Sequence, residues 1–106
     1  MLGAICGDVI GSVYERNNVK SKQFQLFSKD TRFTDDTVLT IAIADAILHK
    51  KYFGATIHRY SVNYPKAGFG SRFREWFKSK HPKPYGSYGN GSAMRVSPIG
   101  YAYDTI

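Results

Sequence analysis

Several things are scarce in this sequence, and each scarcity excludes a class of protein. Cysteine occurs once, as Cys6 in an apolar setting, so no disulfide can form within the chain and a thiolate zinc site lacks ligands. The histidines His49, His58 and His81 have no Cys or His partner at zinc-like spacing, and Cys6 has no base beside it, which argues against zinc and thiol chemistry. No apolar run approaches the roughly 20 residues that a membrane span requires. The longest, 38–48, is interrupted by Thr40 and Asp45. No signal-peptide pattern opens the chain, so a cytoplasmic address is expected. Alternating strand patterns, internal repeats and low-complexity tracts are missing as well, which favours an all-α fold. With 106 residues there is room for one small domain and no more.

What the sequence does have is core-forming material and a local charge excess. Hydrophobic residues make up 42% and aromatic residues 15%, which sets it apart from disordered, charge-rich chains. Lys and Arg number 15 against 8 Asp and Glu, for a net charge of +7. Most of that excess lies in 59–83, where the single acid is Glu75. Such a patch can face phosphates of a nucleic acid or nucleotide, but a solvated helix face is the commoner meaning.

Helical spacing of Leu2, Ile5, Cys6, Val9, Ile10 and Val13 predicts a helix over 1–15. Gly3, Gly7 and Gly11 recur along one of its faces, which suggests close packing of another helix there. Residues 17–32 read as a long connecting loop. The clearest helix starts after Phe33, with Thr34 as N-cap, Asp35 and Asp36 in the first turn, and His49, Lys50 and Lys51 at the far end. Its middle is apolar almost all round, so it should be central and buried on most sides. A shorter helix is expected over 57–64, stopped by Pro65, and an amphipathic one over 67–80, with Phe69, Phe73, Trp76 and Phe77 as its apolar stripe. A glycine- and serine-rich loop then leads to a helix start near Ser92. The chain stops at Ile106 without a cap or polar tail. That ending, and an apolar helix with few others to cover it, suggest the N-terminal part of something larger.

Four places could carry chemistry. Thr34, Asp35 and Asp36 cluster hard oxygen ligands suited to Mg²⁺, although N-capping explains the same pattern without a metal. Glu15 either hangs over a site or decorates a helix end, and Asp8 is expected to be structural, since an unpaired buried carboxylate is costly. Asp45 reads as a solvent-facing interruption of its helix. The glycine-rich segments 67–71 and 86–92 offer backbone N–H groups of the kind that hold phosphates. Neither fits a Walker A loop, which ends in Gly-Lys-Ser/Thr, or a dinucleotide fingerprint, which follows a strand.

The order LGAICGDVIGSVYE, FTDDTVLTIAIADAIL, YPKAGFGSRFREW and GNGSAMRVSPIGYAYDT resembles the N-terminal portion of the ADP-ribosylglycohydrolase family. The resemblance spans nearly the whole chain. It implies an all-α fold, here a single partial domain over 1–106, whose members use Mg²⁺ to cleave the glycosidic bond between ADP-ribose and an acceptor. By the same resemblance Thr34, Asp35 and Asp36 would ligate metal, and Glu15 would be a mobile glutamate over the metal site, with Asp36 or Glu15 activating water. Gly68, Phe69 and Gly70 would approach the diphosphate. A phenylalanine here replaces the more usual tyrosine, which removes a hydroxyl and leaves the backbone donors. Asn90, Gly91, Ser92 and Met94 would line the ADP-ribose pocket. Members of the family are more than twice this long and carry a second acidic metal motif towards the C-terminus, which Asp104-Thr105 does not match. The one or two Mg²⁺ ions of the family therefore reduce to half a site here, and the chain alone is expected to bind weakly and to hydrolyse nothing. The partners implied are ADP-ribose or an ADP-ribosylated protein, with self-association or a completing C-terminal chain to cover exposed apolar surface, and no membrane. Two rival readings are an ADP-ribose-binding module without catalysis and a small basic protein that binds nucleic acid through 59–83 and its interleaved aromatics.

Overall fold

A computed structural model of the chain describes residues 1–104. The readings that fall on Thr105 and Ile106 lie outside the described residues. Six helices and no strand are found among the described residues, so the fold is all-α. In chain order they are α1 (Leu2–Gly11), α2 (Asp35–Leu48), α3 (Phe53–Asn63), α4 (Ser71–Lys78), α5 (Gly91–Met94) and α6 (Ser97–Ala102). No helix among them is long and apolar enough to cross a membrane.

The spine is α2. It packs against α1, α3, α5 and α6, while α4 rests on α3. Val38, Leu39, Ala42 and Ile43 from α2 form the core with Ile57, Phe69 and Phe77. Helix α2 is thus central, as its apolar composition predicts. Its buried Thr40 is anchored by a hydroxyl that reaches the Met94 carbonyl at 3.4 Å. In α3 the buried hydroxyls of Thr56 and Ser61 donate to carbonyls one turn back, Tyr52 O at 3.0 Å and Ile57 O at 2.8 Å. Burial of these polar atoms therefore leaves no unmet hydrogen bond.

The two ends of α2 are held by different devices. At the N-terminus, Thr34 is the cap and its Oγ1 accepts from the Asp36 N–H at 3.3 Å. Two further N–H groups at this start are taken by a carboxylate from another helix. Asp8 of α1 accepts from the Thr34 N–H at 2.8 Å and the Thr37 N–H at 3.2 Å, and from both threonine hydroxyls at 2.5 Å. One anion therefore satisfies donors at the positive end of α2 and joins α1 to it. At the C-terminus, Lys50 adopts a left-handed conformation with φ 52°. The Lys51 N–H reaches Ala46 O at 2.9 Å and the Lys50 N–H reaches Ile47 O at 3.3 Å. This is a Schellman closure with lysine where glycine is usual.

Several expectations need correction. Helix α1 stops at Gly11, where the Ser12 hydroxyl turns back onto Val9 O at 2.9 Å, so it does not run to Glu15. Among the described residues nothing lies within 4 Å of a Cβ built on Gly3, Gly7 or Gly11, so the expected close packing on that stripe is not made. Helix α3 begins at Phe53, not at 57, and α4 begins at Ser71, because Gly68 at φ 109° breaks the helical course before it. Asp45 is no solvent-facing interruption. Its side chain is only 14% exposed, and Arg59, His49 and Lys51 surround it at 2.5, 2.7 and 3.2 Å. Burial pushes its pKa up, but the Lys51 hydrogen bond and the three nearby cations outweigh this and lower it. Asp45 thereby ties the α2–α3 turn to both helices.

Two variants test these devices. Asp8→Ala leaves a cluster of donors unmet and should cost about 1–3 kcal/mol in chemical denaturation, with faster proteolysis ahead of α2. Lys50→Gly relieves the left-handed strain and should raise stability by about 0.5–1 kcal/mol, measured the same way.

Candidate active site

The segment after α3 turns at Pro65 and returns towards α2 through Gly68. The positive φ of Gly68 suits a residue without a side chain, and a Cβ there would sit 3.4 Å from Asp35 Oδ1. This turn brings the start of α4 beside the acidic end of α2. Gly70 is the N-cap of α4 and supplies no side chain to it, so the first N–H groups of the helix stay open on that side. Further along, the glycine-rich segment before α5 folds over the same region. Between these parts lies a cavity of about 1070 Å³, with Asp35, Gly70, Ser71, Asn90, Gly91 and Ser92 in its wall.

The acidic end of this cavity is strained electrostatically. Burial is the main cause that pushes the Asp35 carboxyl up to about 6, and the charges of Asp36, Glu15 and Asp8 add to it, against a backbone hydrogen bond that lowers it. Asp36 is raised too, by burial first and then by Asp8 and Glu15. No ion pair relieves either residue, since those among the described residues converge on Asp45. Half-buried carboxylates with mutual repulsion and no counter-charge are a donor set that a hard divalent cation fits. The fit is that of an open half-site. Among the described residues, no three Asp, Glu, His or Cys side chains come together around one point.

The opposite walls are positive and aromatic. Arg72 and Arg95 line the cavity with Trp76, Tyr85 and Tyr88. Arg95 is half-buried, and burial lowers its pKa from the usual guanidinium value while the neighbouring Tyr85 works the other way. The guanidinium still carries its charge at neutral pH. His58 stands edge-on to Trp76 with ring centroids 5.7 Å apart, and its Nε2 is buried without a partner. The cavity thus has a carboxylate at one end, and guanidinium groups and open N–H donors elsewhere. That distribution suits a ligand with anionic groups in its middle and a cation-binding or hydroxyl-bearing end.

Of the residues singled out in the sequence, Asp35, Gly70, Asn90, Gly91, Ser92 and Met94 line this cavity. Thr34 is buried, with its hydroxyl engaged by Asp8 and the Asp36 N–H. Asp36 and Glu15 do not line the cavity, but their charges act on Asp35. Gly68 lies against Asp35 outside the wall. The Phe69 ring belongs to the core, 3% exposed and packed on Phe73 and Phe77 at 5.2 and 5.4 Å. It therefore offers a ligand nothing but its backbone. Sequence reasoning missed Tyr85, Tyr88 and Arg95, which carry no spacing signal, and reached Arg72 only as one cation of the basic stretch 59–83 and His58 only as a histidine without zinc-like partners. It placed Trp76 in an apolar stripe, where it serves the core and the cavity together.

With this geometry in place the comparison with known proteins is specific. The chain belongs to the ADP-ribosylglycohydrolase family, whose profile matches residues 1–105. It is similar along its whole length to ADP-ribosylhydrolase ARH3 of Mus musculus at 29% identity, of Bos taurus at 30% and of Homo sapiens at 29%. The chain spans only 38–39% of the length of these curated relatives. No solved structure matches it.

The raised Asp35 pKa has a definite consequence for stability. The folded state holds this proton more tightly than the unfolded state, so Asp35 costs stability as the pH rises from about 4 to beyond 6. Asp35→Asn removes that cost. In chelator, the stability of the variant relative to the native chain should therefore improve between pH 4 and pH 7. About 1–2 kcal/mol is expected, less than the shift itself converts to, because water screens a half-exposed carboxyl. Denaturant titrations at the two pH values measure it.

Proposed function

We propose that this chain is the nucleotide-holding portion of an ADP-ribosylglycohydrolase, a hydrolase that uses Mg²⁺ to cleave the glycosidic bond of ADP-ribose conjugates. One observation carries the reading. The acidic start of α2, the open N-terminus of α4 and residues 90–92, far apart in sequence, meet in a single cavity. The family membership and the name ADP-ribosylhydrolase of its relatives support the same conclusion.

In this reading the first N–H groups of α4 and the backbone at Gly70, the one residue of the 68–70 turn in the cavity wall, hold the diphosphate, as helix N-termini hold anions. Arg95 and Arg72 add positive charge to the walls that face it. Asn90, Gly91, Ser92 and Met94 form the remaining side and exclude water from the sugar. Asp35 and Asp36, with the remaining lone pair of the Thr34 hydroxyl, would hold Mg²⁺. Bound there, the ion would fix ribose hydroxyls and stabilise the charge that develops at the anomeric carbon. Asp36 or Glu15 accepts the proton of the attacking water. Glu15 has the freedom for this, since it is exposed beyond the end of α1. The substrate is ADP-ribose on a protein side chain or a related acceptor.

Calorimetric titration with ADP-ribose, in Mg²⁺ and again in chelator, tests the proposal. Binding should be metal-dependent, and Asp36→Asn should remove most of that dependence, weakening the Mg²⁺-supported affinity at least tenfold. A folded chain that ignores ADP-ribose under both conditions would sink the reading.

A further inference from the structure

Arg72, the second residue of α4, has no acidic partner among the described residues. Every ion pair among the described residues converges on Asp45. Its guanidinium instead faces two aromatic rings, 5.3 Å from the centroid of Tyr85 and 5.8 Å from that of Tyr88. Both distances are within the range of cation–π attraction, about 6 Å. The rings belong to the stretch Tyr85-Gly86-Ser87-Tyr88-Gly89, which has little else to order it. Its own side-chain hydrogen bond is local, from the Gly89 N–H to Ser87 Oγ at 3.2 Å. Tyr88 is wholly exposed, and two glycines widen the conformational range of the backbone. The stretch nevertheless leads directly into Asn90, Gly91 and Ser92 in the cavity wall. Arg72 also stands on the ridge between the cavity and a smaller depression of about 260 Å³, both of which share Tyr85 and Trp76.

We propose that Arg72 is a positioning residue: held against Tyr85, with the exposed Tyr88 ring near the outer limit of the same attraction, it clasps residues 85–89 to α4 and presets the 90–92 wall before a nucleotide arrives. The inference rests on the reading that this cavity receives ADP-ribose. The physical reason is preorganisation. A loop that is already ordered adds no ordering cost at the moment of binding, so the clasp appears as affinity. A planar guanidinium can serve two rings at once, whereas an ammonium is a compact point charge on a flexible stem. Each exposed contact of this kind corresponds to about a two- to fivefold change in an equilibrium constant.

The test compares the native chain with Arg72→Ala and Arg72→Lys by two measurements. Backbone order parameters of residues 86–91 are taken without ligand, and ADP-ribose affinity is taken in Mg²⁺. For Arg72→Ala the order parameters should fall towards those of a flexible loop, and affinity should weaken about five- to twentyfold with little change in melting temperature. Arg72→Lys should lie between the other two on both scales. Unchanged order parameters in Arg72→Ala would overturn the clasp, as would an Arg72→Lys chain equal to the native one, which would reduce Arg72 to a simple charge. If the native chain binds no ADP-ribose, the functional reading fails and the clasp is judged on the ligand-free order parameters alone.

Discussion

The Asp8 carboxylate is the contact from which the rest of the arrangement follows. It reaches from α1 to the first turn of α2 and accepts four hydrogen bonds, from the N–H and hydroxyl groups of Thr34 and Thr37. A helix start left without such partners carries unmet donors and a positive field into a half-buried place. Asp8 meets the donors and offsets the field, and it fixes where α1 sits relative to the spine. It also has an opposite effect nearby. Its negative charge adds to the repulsion that raises Asp35 and Asp36. The same anion that secures the helix therefore makes its next two carboxylates eager for a cation. Stability of the fold and readiness of the site are coupled through one residue.

From that start the cavity is assembled by two returns of the chain. Gly68 lets the backbone pass close to Asp35, so the N-terminus of α4 arrives beside the acids. The later segment comes back over it, and the Thr40 hydroxyl holds its end through the Met94 carbonyl. Phe69 is the pivot between these events. Its ring is sunk among Phe73 and Phe77 in the core, while Gly70 beside it lies in the cavity wall and Gly68 lies against Asp35. Packing inside the core thus sets the position of backbone atoms outside it.

Much of this was legible from residues alone. The helix at 35–48 carries its own cap, its acidic first turn and an apolar body, and those local rules agree with one another. The acidic cluster and the glycine-rich segments were visible as candidates for chemistry for the same reason, since composition and order mark them. Less legible were features that depend on a partner far away in sequence. Asp45 looked like a polar break because its cation at Arg59 comes from the next helix. The glycine stripe of α1 looked like a packing face, yet it is open among the described residues. Tyr85 and Tyr88 had no pattern to reveal them, because a cavity wall is drawn from four separate stretches without periodicity.

What the sequence determined by itself was an all-α chain with a buried central helix, a threonine cap and acidic first turn at its start, and a set of motifs in the order of the ADP-ribosylglycohydrolase family. Hydrophobic periodicity, capping chemistry and residue order are local properties, and they act before any long-range contact forms. Only the tertiary structure decided that Asp8 would cap α2, that the Phe69 ring would enter the core, and that arginines and tyrosines would face Asp35 across one cavity. Those outcomes depend on which surfaces meet when the helices pack, and each pairs residues that no local rule connects.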